Sequence, residues 1–121
     1  MAKILVVEDE QFSAVIVGHI IRNAGHTVIP ARDGKEAISK AKRERPDLII
    51  MDLSLPAMTG WEATRRIKSD PATSGIPIVA LTASLTAADR DEAYEAGCDA
   101  YETKPIDVER LLTHVTELAK S

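Results

Sequence analysis

Five times along the chain a short aliphatic run gives way to a stretch with helical periodicity, and this alternation restricts the fold more than any other feature. The runs are Lys3 to Val7, Thr27 to Ala31, Leu48 to Met51, Ile78 to Leu81 and Ala100 to Thr103. Runs without polar alternation suit strands covered on both faces. After the first, Phe12, Val15, Ile16 and Ile20 share a helical face that stops near Gly25. Asp33-Gly34 reads as a turn, and Ala37, Ile38 and Ala41 give a stripe before Pro46. Further helices are expected from about Trp61 to Ser69 and, more polar, over roughly Ala87 to Ala96 up to Gly97. The last begins near Asp107, a good N-cap, and aligns Val108, Leu111, Leu112, Val115 and Leu118. Strands alternating with helices demand right-handed crossovers and a parallel sheet clothed on both faces. Pro30 has no N–H to give to a ladder, which puts the second strand on an edge. A doubly wound five-stranded α/β sheet in the order 2-1-3-4-5 meets these conditions, with a site at the carboxyl ends of strands 1 and 3.

Composition narrows the function. The 121 residues make one domain, 1–121, with no linker or low-complexity tract and no output domain. Aromatics are 3% of the chain, so the core has to be aliphatic. No apolar run approaches the roughly 18 residues of a membrane helix, and Ile4-Leu5-Val6-Val7 leads straight into Glu8-Asp9-Glu10, unlike a secretion signal. The single cysteine, Cys98, permits no internal disulfide and agrees with a cytoplasmic setting. A net charge of −4 and the lack of a basic block disfavour direct nucleic-acid binding.

The residues that follow the strands carry the chemistry. Glu8-Asp9-Glu10 follows the first, Asp52 the third, Thr82 the fourth and Lys104 the fifth. The proposed order sets the acidic cluster beside Asp52. Two carboxylates ~4 Å apart repel by about 4 kcal/mol at an effective dielectric of 20, so a cation is called for. Mg²⁺ accepts one or two carboxylates together with water and phosphate oxygens. Lys104 adds a point charge suited to a phosphoryl oxygen, and Thr82 a hydroxyl. Such a set can receive a phosphoryl group on aspartate.

These segments resemble the response-regulator receiver domains, of the stand-alone type, a family with a flavodoxin-like fold. The resemblance rests on Ile4-Leu5-Val6-Val7-Glu8-Asp9-Glu10, on Asp52-Leu53-Ser54-Leu55-Pro56 with Gly60, on Val79-Ala80-Leu81-Thr82-Ala83, and on Gly97 through Ile106. It covers nearly the whole chain. It implies that Asp52 is the phosphoacceptor, that Asp9, Asp52 and the Ser54 backbone carbonyl hold Mg²⁺, and that Glu8 acts one layer further out. It also implies that Thr82 is the switch hydroxyl, Tyr101 the aromatic that turns inward, and Lys104 the phosphate contact, with a cis Lys104-Pro105 peptide. The implied donor is a sensor histidine kinase or a histidine phosphotransfer protein. The implied target is a protein that meets the fourth helix, fifth strand and last helix. Glu8 stands where many members have Asp, and Leu55 where Met is frequent, a near volume-conserving change. Ser54 and Ser84 lie where receivers vary, and those positions tune the lifetime of the phosphoryl group.

Taken singly, most of these residues have plainer roles. Asp9 alone reads as a cap or turn former, Tyr101 as a half-buried strand aromatic and Cys98 as a small packing residue. His19, His26 and His114 share no ligand spacing and read as surface or packing residues, and Trp61 anchors its helix. Arg43, Arg45, Arg65 and Arg66 read as solvated helix faces. Two other functions fit the acids: a small phosphohydrolase or phosphotransferase working through an aspartyl-phosphate, or a receiver-like module that is never phosphorylated. The first needs a substrate cap for which the core leaves no chain. The second usually lacks an acid, the Thr or the Lys, all of which are present.

Overall fold

In the computed structural model, residues 2–53, 58–83 and 86–119 are described. Strands β1 (Lys3–Val7), β2 (Thr27–Ala31), β3 (Leu48–Asp52), β4 (Ile78–Thr82) and β5 (Ala100–Thr103) alternate with helices α1 (Gln11–Asn23), α2 (Gly34–Glu44), α3 (Gly60–Ser69), α4 (Ala87–Ala96) and α5 (Val108–Leu118). All pairings are parallel and the order is β2-β1-β3-β4-β5, the doubly wound arrangement expected. Pro30 sits on the edge strand, opposite Val6.

Alternating side chains of each strand feed two cores, one per sheet face. Leu5, Val7, Ile49, Met51, Ile78 and Ala80 pack with Ala37, Ala63, Ile67 and Ala93 beneath α2, α3 and α4. Ile4, Val6, Ile50, Val79 and Leu81 pack with Val17, Ile21, Leu111 and Val115 beneath α1 and α5. The middle strands β3 and β4 are buried at every position, which is why they are aliphatic up to their last residues, Asp52 and Thr82.

Polar side chains start the helices by satisfying N–H groups that have no intrahelical partner. Glu10 caps α1 by accepting from the N–H groups of Phe12 and Ser13. Asp33, Thr59 and Asp107 cap α2, α3 and α5 in the same way. Asp33-Gly34 is therefore a helix start as well as a turn. Gly60 opens α3 where the backbone presses on the end of β3: a Cβ there would lie 2.3 Å from the Asp52 carbonyl oxygen. Only glycine fits that approach.

The inward face of α1 differs from the one expected. Phe12 is 71% exposed, Val15 60% and Ile16 39%, and of the expected stripe only Ile20 packs against the core, partly buried. The buried stripe is Val17, Gly18 and Ile21. This helix carries apolar residues around much of its circumference, so periodicity offers two faces. The packed structure chooses between them, burying Val17 and Ile21 with Ile4, Val6 and Leu111 in the core beneath α1 and α5. Val108, expected on the inward face of α5, is also exposed, while Leu111 and Val115 are buried.

Truncation should separate the two stripes of α1. Ile21→Ala should cost about 2–5 kcal/mol of stability in urea unfolding, and Phe12→Ala less than about 0.5 kcal/mol. Equal losses would contradict this placement of the helix.

Candidate functional site

The parallel register brings the strand-end acids together. Val7 pairs with Met51, so the next residues on each strand, Glu8 and Asp52, emerge side by side at the carboxyl end of the sheet. Both are buried, at 4% and 3% exposure, while the following Asp9 is exposed. Carboxylate oxygens of Glu8, Asp9 and Asp52 lie within 4.8 Å of one another. The backbone N–H of Glu8 donates to Ala31 on β2, which fixes the chain as it leaves β1.

On the other side, β4 and β5 supply Thr82 and Lys104. Asp52 pairs with Leu81, and Thr82 pairs with Thr103. The N–H of Lys104 donates to the carbonyl of Thr82 at 2.7 Å, so the lysine leaves the sheet beside the threonine. Its Nζ donates to Glu8 Oε2 at 3.0 Å and lies 3.6 Å from Asp52 Oδ2. The Lys104-Pro105 peptide is cis. Tyr101 is half-buried on β5, with its ring centroid 6.4 Å from that of Tyr94 on α4. Ser54, Leu55, Pro56 and Ser84 lie outside the described residues.

The electrostatics follow from this crowding. The Glu8 carboxyl is pushed up to about 7, first by burial and then by its hydrogen bond to Asp52, against the lowering pull of Lys104. Burial alone would lower the Lys104 ammonium, but the hydrogen bond to Glu8 and the charges of both acids raise it. Glu10 lies at the same strand end and takes another role: its carboxylate is held by the N–H groups of Ser13 and Phe12, which lower its pKa.

Lys104 serves Glu8 and Asp52, with Asp9 beside them, and Glu8 Oε1 is buried with no hydrogen-bond partner among the described residues. An all-oxygen donor set with excess negative charge and an unsatisfied oxygen suits a hard divalent ion such as Mg²⁺. The sequence singled out every member of this group but did not foresee that Lys104 would lie closer to Glu8 than to Asp52.

Sequence reasoning passed over a second buried acid. Glu102 on β5 is 3% exposed, with Arg110 Nε 3.5 Å and His114 Nε2 3.4 Å from its carboxylate. The signal for it was an arginine and a histidine one turn apart on α5, Arg110 and His114, and an acid in a strand otherwise read as apolar. The remaining histidines are local: His26 Nδ1 accepts from the N–H of Ala2, and His19 meets Asn23. Burial pushes the Cys98 thiol up to about 11, which leaves it unreactive. Arg65 and Arg66 pair with Glu92 and Glu62 on the surface.

Glu8 gives the metal-free protein a pH signature. Below its ordinary value of 4.5 the carboxyl is protonated in both the folded and the unfolded chain. Between 4.5 and about 7 the unfolded chain releases the proton while the folded chain keeps it, so stability falls as pH rises. Above about 7 the loss is complete. Metal-free wild type should lose on the order of 2–3 kcal/mol relative to Glu8→Gln across this window. Thermal melts of both proteins check it, and a difference that does not vary with pH would contradict the burial argument.

Comparison with known proteins agrees with this geometry. The family model of the response regulator receiver domain matches residues 4–116. The polar-differentiation response regulator DivK of Brucella anthropi is 37% identical over 109 residues, covering 90% of this chain and 89% of its own. The chemotaxis protein CheY4 of Vibrio cholerae shares the structure with a TM-score of 0.90 at 33% identity, covering 98% of each chain. The receiver domain of the sensor histidine kinase PA1611 from Pseudomonas aeruginosa PAO1, solved with a magnesium ion coordinated in its active-site cleft, reaches a TM-score of 0.92 at 33% identity over 99% of this chain and 98% of its own. With nearly all of its length matched in both sequence and structure, the chain belongs to the response regulator receiver domain family.

Proposed function

We propose that residues 1–121 work as a single phosphorylation switch in which Asp52 accepts a phosphoryl group from a histidine kinase or a histidine phosphotransfer protein. The observation that carries this reading is the ion pair of Lys104 with both Glu8 and Asp52 at the carboxyl end of the sheet. A charge that already bridges two acids is positioned to meet the oxygens of an incoming phosphoryl group. Asp52 attacks phosphorus through a carboxylate oxygen. The bond from phosphorus to the donor's imidazole nitrogen breaks, and its electron pair stays on that nitrogen. Glu8, sheltered and tied to Lys104, holds the lysine in place and is not the acceptor. Asp9, Asp52 and the Ser54 carbonyl would hold Mg²⁺, with Glu8 one layer further out. When bound, the ion supplies charge that offsets the acids and the phosphoryl oxygens.

The product adds oxygens within reach of the Thr82 hydroxyl. Thr82 and Lys104 are joined through the backbone, and Thr82 pairs with Thr103, two residues along β5 from Tyr101 and on the same side of the strand, so a shift at Thr82 has a short route to Tyr101. The phosphoryl group biases two arrangements of the α4–β5–α5 face through its differential contacts with each. That face meets the downstream protein. The sequence relatives support signalling over metabolite turnover: DivK is a response regulator.

Incubation with acetyl phosphate and Mg²⁺ should add the mass of one phosphoryl group to the intact chain. Asp52→Asn should abolish the gain, and persistent labelling of that variant would reject the assignment. Thr82→Ala should still be labelled, yet beryllofluoride should no longer shift the amide resonance of Tyr101 as it does in wild type. A wild-type response confined to the surroundings of Asp52 would contradict the coupling.

A further inference from the structure

Between α4 and α5, outside the acidic site, lies a cavity of about 400 Å³ lined by Arg90, Tyr94, Tyr101, Thr103, Arg110 and His114. Two guanidinium groups and an imidazole converge here in a chain whose net charge is −4. No carboxylate is among the lining residues. Glu102 stands behind them, buried in the sheet, and its contacts with Arg110 and His114 hold both side chains at the wall. The Glu102 contact engages Arg110 through Nε, and a guanidinium carries further donors on its terminal nitrogens. Arg90 has no ion pair among the described residues. The tyrosines add flat apolar walls with polar tips.

We propose that this cavity binds a carboxylate from an extended, acidic segment of a partner protein, seated between Arg90 and Arg110. The paired guanidinium forks match the planar geometry of a carboxylate. The position of β5 favours a protein segment over a small anion, because among the described residues β5 is the last strand of the sheet, with no strand paired along its outer edge. An extended chain can engage that edge while its acid enters the cavity. Tyr101 forms part of the wall, so movement of its ring would alter the cavity and make docking sensitive to the state of Asp52. The inference rests on the α4–β5–α5 face being the partner-binding face and specifies the chemistry it accepts.

Arg90 is the residue to test, since it is exposed on α4 and no buried charge depends on it. Removing Arg110 would instead leave Glu102 short of a partner in the interior. Amidated hexaglutamate, titrated into the full isotope-labelled chain, should give saturable shifts at Tyr94, Thr103, Arg110 and His114. Arg90→Gln should weaken that binding about tenfold. Glu102→Gln, which loosens the hold on Arg110 and His114, should weaken it as well. Equal affinity of Arg90→Gln and wild type, shifts that never saturate, or shifts at these residues with ATP but not with hexaglutamate would each overturn the inference. Labelling of the same samples by acetyl phosphate reads the Asp52 switch separately, so loss of peptide binding with intact labelling rejects only the acidic-segment pocket.

Discussion

Lys104 bridges the two buried acids that close the carboxyl end of the sheet, and the arrangement of the site follows from its pairing. At 3.0 Å from Glu8 and 3.6 Å from Asp52 it offsets a repulsion between buried carboxylates that would otherwise oppose folding. The compensation is incomplete. Glu8 retains its proton to about pH 7, and one of its oxygens lacks a partner among the described residues. A site with a surplus of negative charge is prepared for a cation and then for the phosphoryl group that a cation helps to hold.

The same lysine connects the chemistry to the rest of the molecule. It is tied by its backbone to Thr82 and follows directly on β5, which carries Tyr101 on one side and buried Glu102 on the other. Glu102 in turn anchors Arg110 and His114 on α5. A change at the strand ends therefore has a short route, through β5, to the surface between α4 and α5.

The sheet and its order are legible in the sequence because fully covered strands must be continuous aliphatic runs and Pro30 is tolerated only on an edge. The acids at the strand ends are legible for the same reason: once the order is known, Glu8 and Asp52 have to be neighbours. The inward face of α1 is not legible, because its apolar residues occupy two stripes and only packing of Val17 and Ile21 into the core beneath α1 and α5 decides between them, which periodicity does not contain. Glu102 is missed because a lone acid in a short strand reads as solvent-facing. Its partners lie on α5, and only the packed structure brings them to it. The preference of Lys104 for Glu8 is likewise a matter of ångströms that no spacing rule contains.

The central claim is that, of the acids gathered at Lys104, Asp52 alone takes the phosphoryl group. Hydride reduction tests it most directly, because borohydride converts an aspartyl phosphate to homoserine and leaves free carboxylates unchanged. After phosphorylation, reduction and peptide mapping, the account predicts homoserine at position 52 and unmodified Glu8, Asp9 and Glu10. Reduction at any of those three acids, or none at Asp52 in a chain that has gained phosphoryl mass, would contradict it.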